Sequence, residues 1–221
     1  GPGGANADWM HVNAIDYNPI LDQIVISSRF QDEIYIIDHS TTTEEAASHS
    51  GGNSGMGGDF LYRWGNPEKY DRGNSSDQKL NDQHSVNWIE SGYPGEGNII
   101  LFNNKHDGNT SSALEFKPPL NENGVYDLED NQAFGPETIE WLYHPGGLYY
   151  TPVQGGAFRL PNGNTLLTDA DDYEIREVTQ NGDVVWDYQY PQGNNNTIIS
   201  RAQKYGLDYF NQENIIGDLN D

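Results

Sequence analysis

Short runs in which apolar and polar residues alternate recur along the chain, and they recur in sets of four. His11 to Tyr17 alternates and ends in the turn NPILD, and Gln23–Ser28 and Glu33–Asp38 follow as runs rich in β-branched residues. Three strands joined by short polar turns form an antiparallel meander. The same grammar returns at intervals of about 70 residues, where MHVNAIDY around His11, QHSVNWIE around His84 and VQGGAFRL around Gln154 each open a unit. Each opener is followed by a second strand (LDQIVISS, EGNIILFN, NGNTLLTD) and a third (DEIYIID, SALEF, YEIREVT). An aromatic fourth closes each unit (FLYRWGNP, TIEWLYHP, DVVWDYQYP).

A four-stranded antiparallel unit repeated in tandem, with a tryptophan in its last strand, is the pattern of a propeller blade. No single unit is large enough to bury a core, so the units must stack side by side. The expected fold class is therefore all-β, a β-propeller with about three blades and part of another. The blades fall at residues 8–67, 80–146 and 152–191, with a partial one at 197–210. Three blades and a part do not close a ring, because propellers have at least four. Residues 1–7 read as a flexible leader or cloning remnant, and 211–221 as a tail or linker. Two long excursions, at 40–58 and 118–136, read as lids or as disordered insertions.

Composition narrows the partners. With 34 acidic against 11 basic residues the formal charge is −23, so nucleic acid and anionic membrane surfaces are excluded as natural partners. The same field repels an anionic substrate at long range, so such a substrate has to be caught by local positive groups. There is no cysteine, which removes disulfides, thiolate catalysis and zinc–thiolate sites. Fourteen tyrosines and five tryptophans supply a core. No apolar run approaches the roughly 18 residues of a membrane span, so membrane insertion is not expected.

Three residues of the first unit point to chemistry. His11 and Asn13 are two apart on one strand and share a face, and Arg29 ends the neighbouring strand that folds back towards them. Two neutral donors beside a fixed cation form an anion site. The competing reading is a satisfied strand-edge histidine and a solvated arginine, and spacing alone leaves both open. His84 opens the second unit as His11 opens the first, so both face the channel lined by the innermost strands. His39, His49, His106 and His144 read as loop residues. No histidine or carboxylate spacing marks a metal site. The acidic stretch Asp169 to Glu174 is a weak calcium candidate without a DxDxDG loop.

The stretches His11-Val12-Asn13-Ala14-Ile15-Asp16-Tyr17 and Asp22-Gln23-Ile24-Val25-Ile26-Ser27-Ser28-Arg29 resemble the arylsulfate sulfotransferase family of bacterial β-propeller enzymes, and the resemblance runs from Asp8 to about Phe210. It implies a ring of six blades, with the missing blades on the same precursor or on another chain, and a periplasmic or extracellular location. It also implies transfer of a sulfuryl group from an aryl sulfate to a phenolic acceptor, with no nucleotide donor and no cofactor. His11, Asn13 and Arg29 would bind the transferred group, and His84 would be the histidine that carries it. Gln154 stands where the third unit has no histidine, and is left to bind substrate or shape the channel. A further family histidine, on a preceding blade, has no counterpart here. Two alternatives stand beside this reading: an inactive secreted propeller acting as a structural or binding module, and a calcium-dependent carbohydrate-binding propeller.

Overall fold

The computed structural model describes residues 8–191 and 198–206. Its strands fall into three antiparallel sheets of four, each in sequential order. The first holds β1 (Val12–Asn18), β2 (Gln23–Ser28), β3 (Glu33–Asp38) and β4 (Tyr62–Trp64). The second holds β5 (His84–Trp88), β6 (Ile99–Asn103), β7 (Ser112–Phe116) and β8 (Trp141–Tyr143). The third holds β9 (Gly156–Arg159), β10 (Thr165–Asp169), β11 (Glu174–Val178) and β12 (Val184–Gln189). These are the blades that the repeat predicts, and among the described residues they form an open arc with no closed ring. Of the partial fourth blade, residues 198–206 are described and contain no strand, while 197 and 207–210 lie outside the described residues. The leader and the tail also lie outside them.

The blades stack because the middle one is apolar on both faces. Every residue of β6 is buried, and alternation sends its side chains two ways. Ile99 and Leu101 join Val25, Ile34, Ile36 and Trp64 in a core between the first and second blades. Ile100 and Phe102 join Ala157, Leu167 and Val178 in a core between the second and third. In the first core the indole of Trp64 stacks on Phe116 with ring centroids 4.0 Å apart. The outermost strand, β12, is exposed along its whole length.

Polar side chains buried at these seams have to be satisfied across them, and that requirement fixes the register between blades. Gln83, with no exposed surface, reaches out of the second blade into the first. Its amide nitrogen donates to Ser27 Oγ at 3.1 Å, to the Ser28 carbonyl at 3.1 Å and to the Glu33 carbonyl at 2.9 Å. The amide of Trp88 donates to Asp16 Oδ2 at 2.9 Å along the same seam. At the second seam Asn87 donates to the Ala157 carbonyl at 3.0 Å, and the Arg159 guanidinium pairs with the Glu115 carboxylate, both buried.

Both excursions pack against the first blade. Residues 40–58 fold back on the Asp38 carboxylate, which accepts from Ser40 and Ser54, and they carry one helical turn, Thr43–Ala46, closed by a reciprocal cap between Thr42 and Glu45. Residues 118–136 brace the first seam: Tyr62 and Trp64 donate to the carbonyls of Gly135 and Pro136, and Tyr126 donates to Gln23.

Replacing Gln83 by leucine removes the donor to Ser27 Oγ and to the Ser28 and Glu33 carbonyls in a dry seam, at about 0.5–1.5 kcal/mol net per hydrogen bond lost. The Gln83→Leu variant is expected to lose about 2–4 kcal/mol in urea unfolding, and a loss within about 0.5 kcal/mol of zero would show that the seam does not need the amide.

Candidate active site

The innermost strand of each blade begins irregularly, and the irregularity shapes a cleft. In β1 the pairing shifts between Val12 and Ala14, and in β5 between His84 and Asn87. Such bulges re-aim side chains at sheet ends. Three non-glycine residues here, His11 (φ 50°), Ser85 (φ 59°) and Gln154 (φ 59°), hold the left-handed backbone conformation, which costs on the order of 1–3 kcal/mol each and concentrates at functional sites. The openings converge on a cleft of about 400 Å³ lined by His11, Asn13, His84, Ser85, Gln154 and Arg201, among others.

His84 is the best defined of these. It is 8% exposed, and its Nδ1 lies 2.8 Å from Asn104 Oδ1 and 3.0 Å from the Asp82 carbonyl. Asn104 Nδ2 donates to the carbonyls of Thr151 and Gln154, at 2.8 and 2.7 Å, so the Asn104 oxygen is the atom turned to the histidine. Both neighbours of Nδ1 are therefore acceptors, and the proton sits on Nδ1. The Nε2 lone pair then faces the cleft, where its protein contact is the backbone N–H of Gln154 at 3.3 Å. Burial lowers the pKa of the imidazole and the charge of Arg29 lowers it further, outweighing the hydrogen bond from Nδ1 to Asn104 that raises it. The ring is thus neutral at pH 7.

The other expected residues divide. Asn13 and Gln154 line the cleft with His84, and Asn13 Nδ2 donates to the Gln83 carbonyl at 2.7 Å, tying the first blade to the residue before His84. His11 lines the rim, with Nδ1 2.6 Å from Asp8 Oδ2 and its ring against Phe30, centroids 4.8 Å apart. The backbone of Arg29 is where the hairpin predicts, its N–H donating to the His11 carbonyl at 3.2 Å. Its side chain goes elsewhere, to Asp82 Oδ2 at 2.9 Å, and the same oxygen also takes Lys105 Nζ at 2.6 Å. Burial raises the pKa of Asp82, but these two hydrogen bonds outweigh it and hold the carboxylate below its usual range.

Three buried polar atoms with no hydrogen-bond partner belong to residues that line this cleft: Asn13 Oδ1, Ser85 Oγ and Gln154 Oε1. Folded chains leave few such atoms, and a cluster of them marks a place where a ligand completes the bonding. Sequence reasoning missed two residues here. Asn104 stands one residue past β6, the place that Arg29 holds past β2, so the repeat register pointed to it. Arg201 lies in the segment read as a partial fourth blade, in which no residue was singled out.

The remaining histidines are loop residues. His39 and His49 pair with Asp22 and Asp59 at 2.7 and 2.8 Å, and His106 and His144 lie against each other, ring centroids 4.3 Å apart. In the acidic stretch Asp169 accepts from Thr151 and from the Asp172 amide, and Glu174 pairs with Arg176. Among the described residues no group of three or more histidine or acidic side chains is arranged to hold a metal ion, and no helix is long and apolar enough to cross a membrane.

Fold and site together define a bladed all-β protein with a neutral, tautomerically fixed histidine at the mouth of the cleft lined by its inner strands. The chain belongs to the arylsulfotransferase (ASST) family, whose model matches residues 2–208. No curated protein sequence matches it. Among solved structures it is similar to a protein of unknown function from Bacteroides caccae, at 11% identity and a TM-score of 0.46, over 82% of this chain and 47% of that one. It is also similar to virginiamycin B lyase from Staphylococcus aureus, at 12% identity and a TM-score of 0.42, over 85% of this chain and 43% of that one. The chain thus spans less than half the length of either protein.

Because the folded pKa of His84 lies below the unfolded value of 6.5, its contribution to stability is present above pH 6.5 and is lost as the pH falls through and below it. Nitrogen-detected NMR titration is expected to show the Nδ1–H tautomer and a midpoint below 6.5. Asn104→Ala is expected to move that midpoint lower still, since it removes the bond that opposes burial.

Proposed function

We propose that this chain carries the sulfuryl-transfer centre of an arylsulfate sulfotransferase, with His84 as the nucleophile. The observation that carries the reading is the state of His84 itself. A neutral imidazole whose Nδ1 proton is engaged presents Nε2 as the nucleophilic atom, and it does so among polar atoms that lack partners. The resemblance in the H-x-N and S-S-R stretches supplies the substrate class.

In the first half-reaction the Nε2 lone pair attacks the sulfur of an aryl sulfate, the sulfur–oxygen bond to the ring breaks, and the aryl oxygen leaves with the electron pair as a phenolate. The imidazole then bears a positive charge, which the Asn104 oxygen and the Asp82 carbonyl stabilise through Nδ1–H. In the second, the acceptor phenol gives its proton to solvent as its oxygen attacks the same sulfur, and the nitrogen–sulfur bond breaks, which returns the lone pair to Nε2. Sulfuryl transfer, like phosphoryl transfer, places charge on the equatorial oxygens, so fixed donors matter more than covalent participation. The Gln154 backbone N–H, 3.3 Å from Nε2, is positioned to donate to an oxygen of a group bound there. His11 and Asn13 border the same space, and in this reading Arg29 acts on His84 through its charge. In this reading the chemistry uses no nucleotide and no metal, and its setting is periplasmic or extracellular.

Incubation with p-nitrophenyl sulfate and phenol is expected to release p-nitrophenolate and form phenyl sulfate. His84→Ala is expected to abolish the release, and Asn13→Ala to reduce it, because the Asn13 amide ties the first blade to the residue before His84. Release that survives His84→Ala would remove the histidine from the mechanism.

A further inference from the structure

We propose that Asp8 is the positioning residue that makes His11 a cationic donor, so that a sulfuryl oxygen is bound in this cleft together with a proton taken up by the His11 imidazole. The inference rests on the reading of the cleft as a sulfuryl site. It adds to that reading a residue outside the strands and the charge state in which His11 works.

Asp8 grips His11 with both carboxylate oxygens. Oδ1 accepts the His11 backbone N–H at 3.0 Å and Oδ2 lies 2.6 Å from Nδ1, a local side-chain clamp made across three residues. One carboxylate thus holds both the ring of His11 and its backbone, which sits at φ 50°. The segment is pinned from the other side as well. Ser28 Oγ and the Phe30 N–H donate to the Met10 carbonyl at 2.8 and 3.2 Å, and the Phe30 ring lies against the imidazole. The side chains of His11 and Asp8 are 39% and 48% exposed, so the pair adds little to stability. What it fixes is the proton arrangement of the ring.

The hydrogen bond from His11 holds the Asp8 carboxyl below its usual range, and an ionised carboxylate only accepts. Nδ1 of His11 therefore carries a proton, and among the described residues Nε2 forms no hydrogen bond. In a neutral ring protonated on Nδ1, Nε2 presents a lone pair, which suits the nucleophile His84 but repels an oxyanion at His11. To bind a sulfuryl oxygen through Nε2 the His11 ring has to gain a second proton, and the Asp8 carboxylate is placed to stabilise the resulting cation. The partners of Nδ1 divide the two histidines: an amide oxygen and a carbonyl stand behind His84, a carboxylate behind His11. The other charged or titratable groups around His11 are Arg29, whose guanidinium lies 5.5 Å from the Phe30 ring centroid and is paired with Asp82, and, among the residues lining the cleft, His84 and Arg201.

Proton uptake is the measurement that a purely structural role for Asp8 would not move. Inorganic sulfate, which does not itself titrate near neutral pH, is titrated into the full chain by calorimetry in buffers of different ionisation enthalpy. The wild type is expected to take up close to one proton per sulfate at about pH 8, and its affinity to fall as the pH is raised from about 6 to about 8. Asp8→Asn keeps an oxygen for the His11 N–H; it is expected to lose most of the uptake and of the pH dependence, and to bind about fivefold more weakly. Asp8→Glu is expected to recover part of both, and His84→Ala to keep the uptake. The proposal is overturned if the wild type binds no sulfate or takes up no proton, if Asp8→Asn behaves as the wild type does, or if His84→Ala rather than Asp8→Asn abolishes the uptake. Uptake that depends on Asp8 in a wild type that releases no p-nitrophenolate would refute the sulfotransferase reading and leave the Asp8–His11 pair standing. Normal release with sulfate affinity and proton uptake unchanged in Asp8→Asn would do the reverse.

Discussion

The arrangement depends on one buried amide. Gln83 enters the seam between the first two blades, where its nitrogen serves a hydroxyl and two carbonyls of the neighbouring blade, while its own carbonyl accepts the side chain of Asn13. An apolar seam alone tolerates sliding, because dispersion contacts are interchangeable and non-directional. Hydrogen bonds in a dry seam do not tolerate it, since each displaced partner is left unpaired at a cost comparable to a core truncation. The residue that follows Gln83 in the chain is His84. The same constraint that holds the blades in register therefore brings a side chain of the second blade to the cleft that Asn13 borders from the first.

The second organising fact is electrostatic. A chain with net charge −23 is a poor host for an anionic ligand, and most of its cations are spent on nearby carboxylates. The cleft answers this locally. Its histidine is kept neutral by burial and by the charge of Arg29, which preserves a lone pair for chemistry. The Asp82 carboxylate is neutralised by Arg29 and Lys105, so it adds little repulsion behind the ring.

Much of the fold was legible in the sequence because blades are local objects. Alternation locates strands, turn residues locate the hairpins, and a repeat of about 70 residues shows that the same object recurs. The continuous apolar run of β6, against the alternation of β1, already distinguishes a strand covered on both faces from one covered on a single face. Residues 40–58 and 118–136 were not legible in this way. Their polar composition resembles that of mobile insertions, yet the first bonds to Asp38 and the second to the tyrosines and tryptophan of the first seam, and the partners of the second are distant in sequence.

By itself the sequence determined the blades, their order and four residues, His11, Asn13, His84 and Gln154, that open their units and line one cleft. Only the tertiary structure decided what each can do. That Nδ1 of His84 meets Asn104 and that the Arg29 side chain turns to Asp82 are contacts between residues roughly 20 and 50 positions apart. Strand periodicity sets the face on which a side chain emerges. Which tautomer it holds, and which charge neutralises it, depends on the neighbouring blade and on how the seams align.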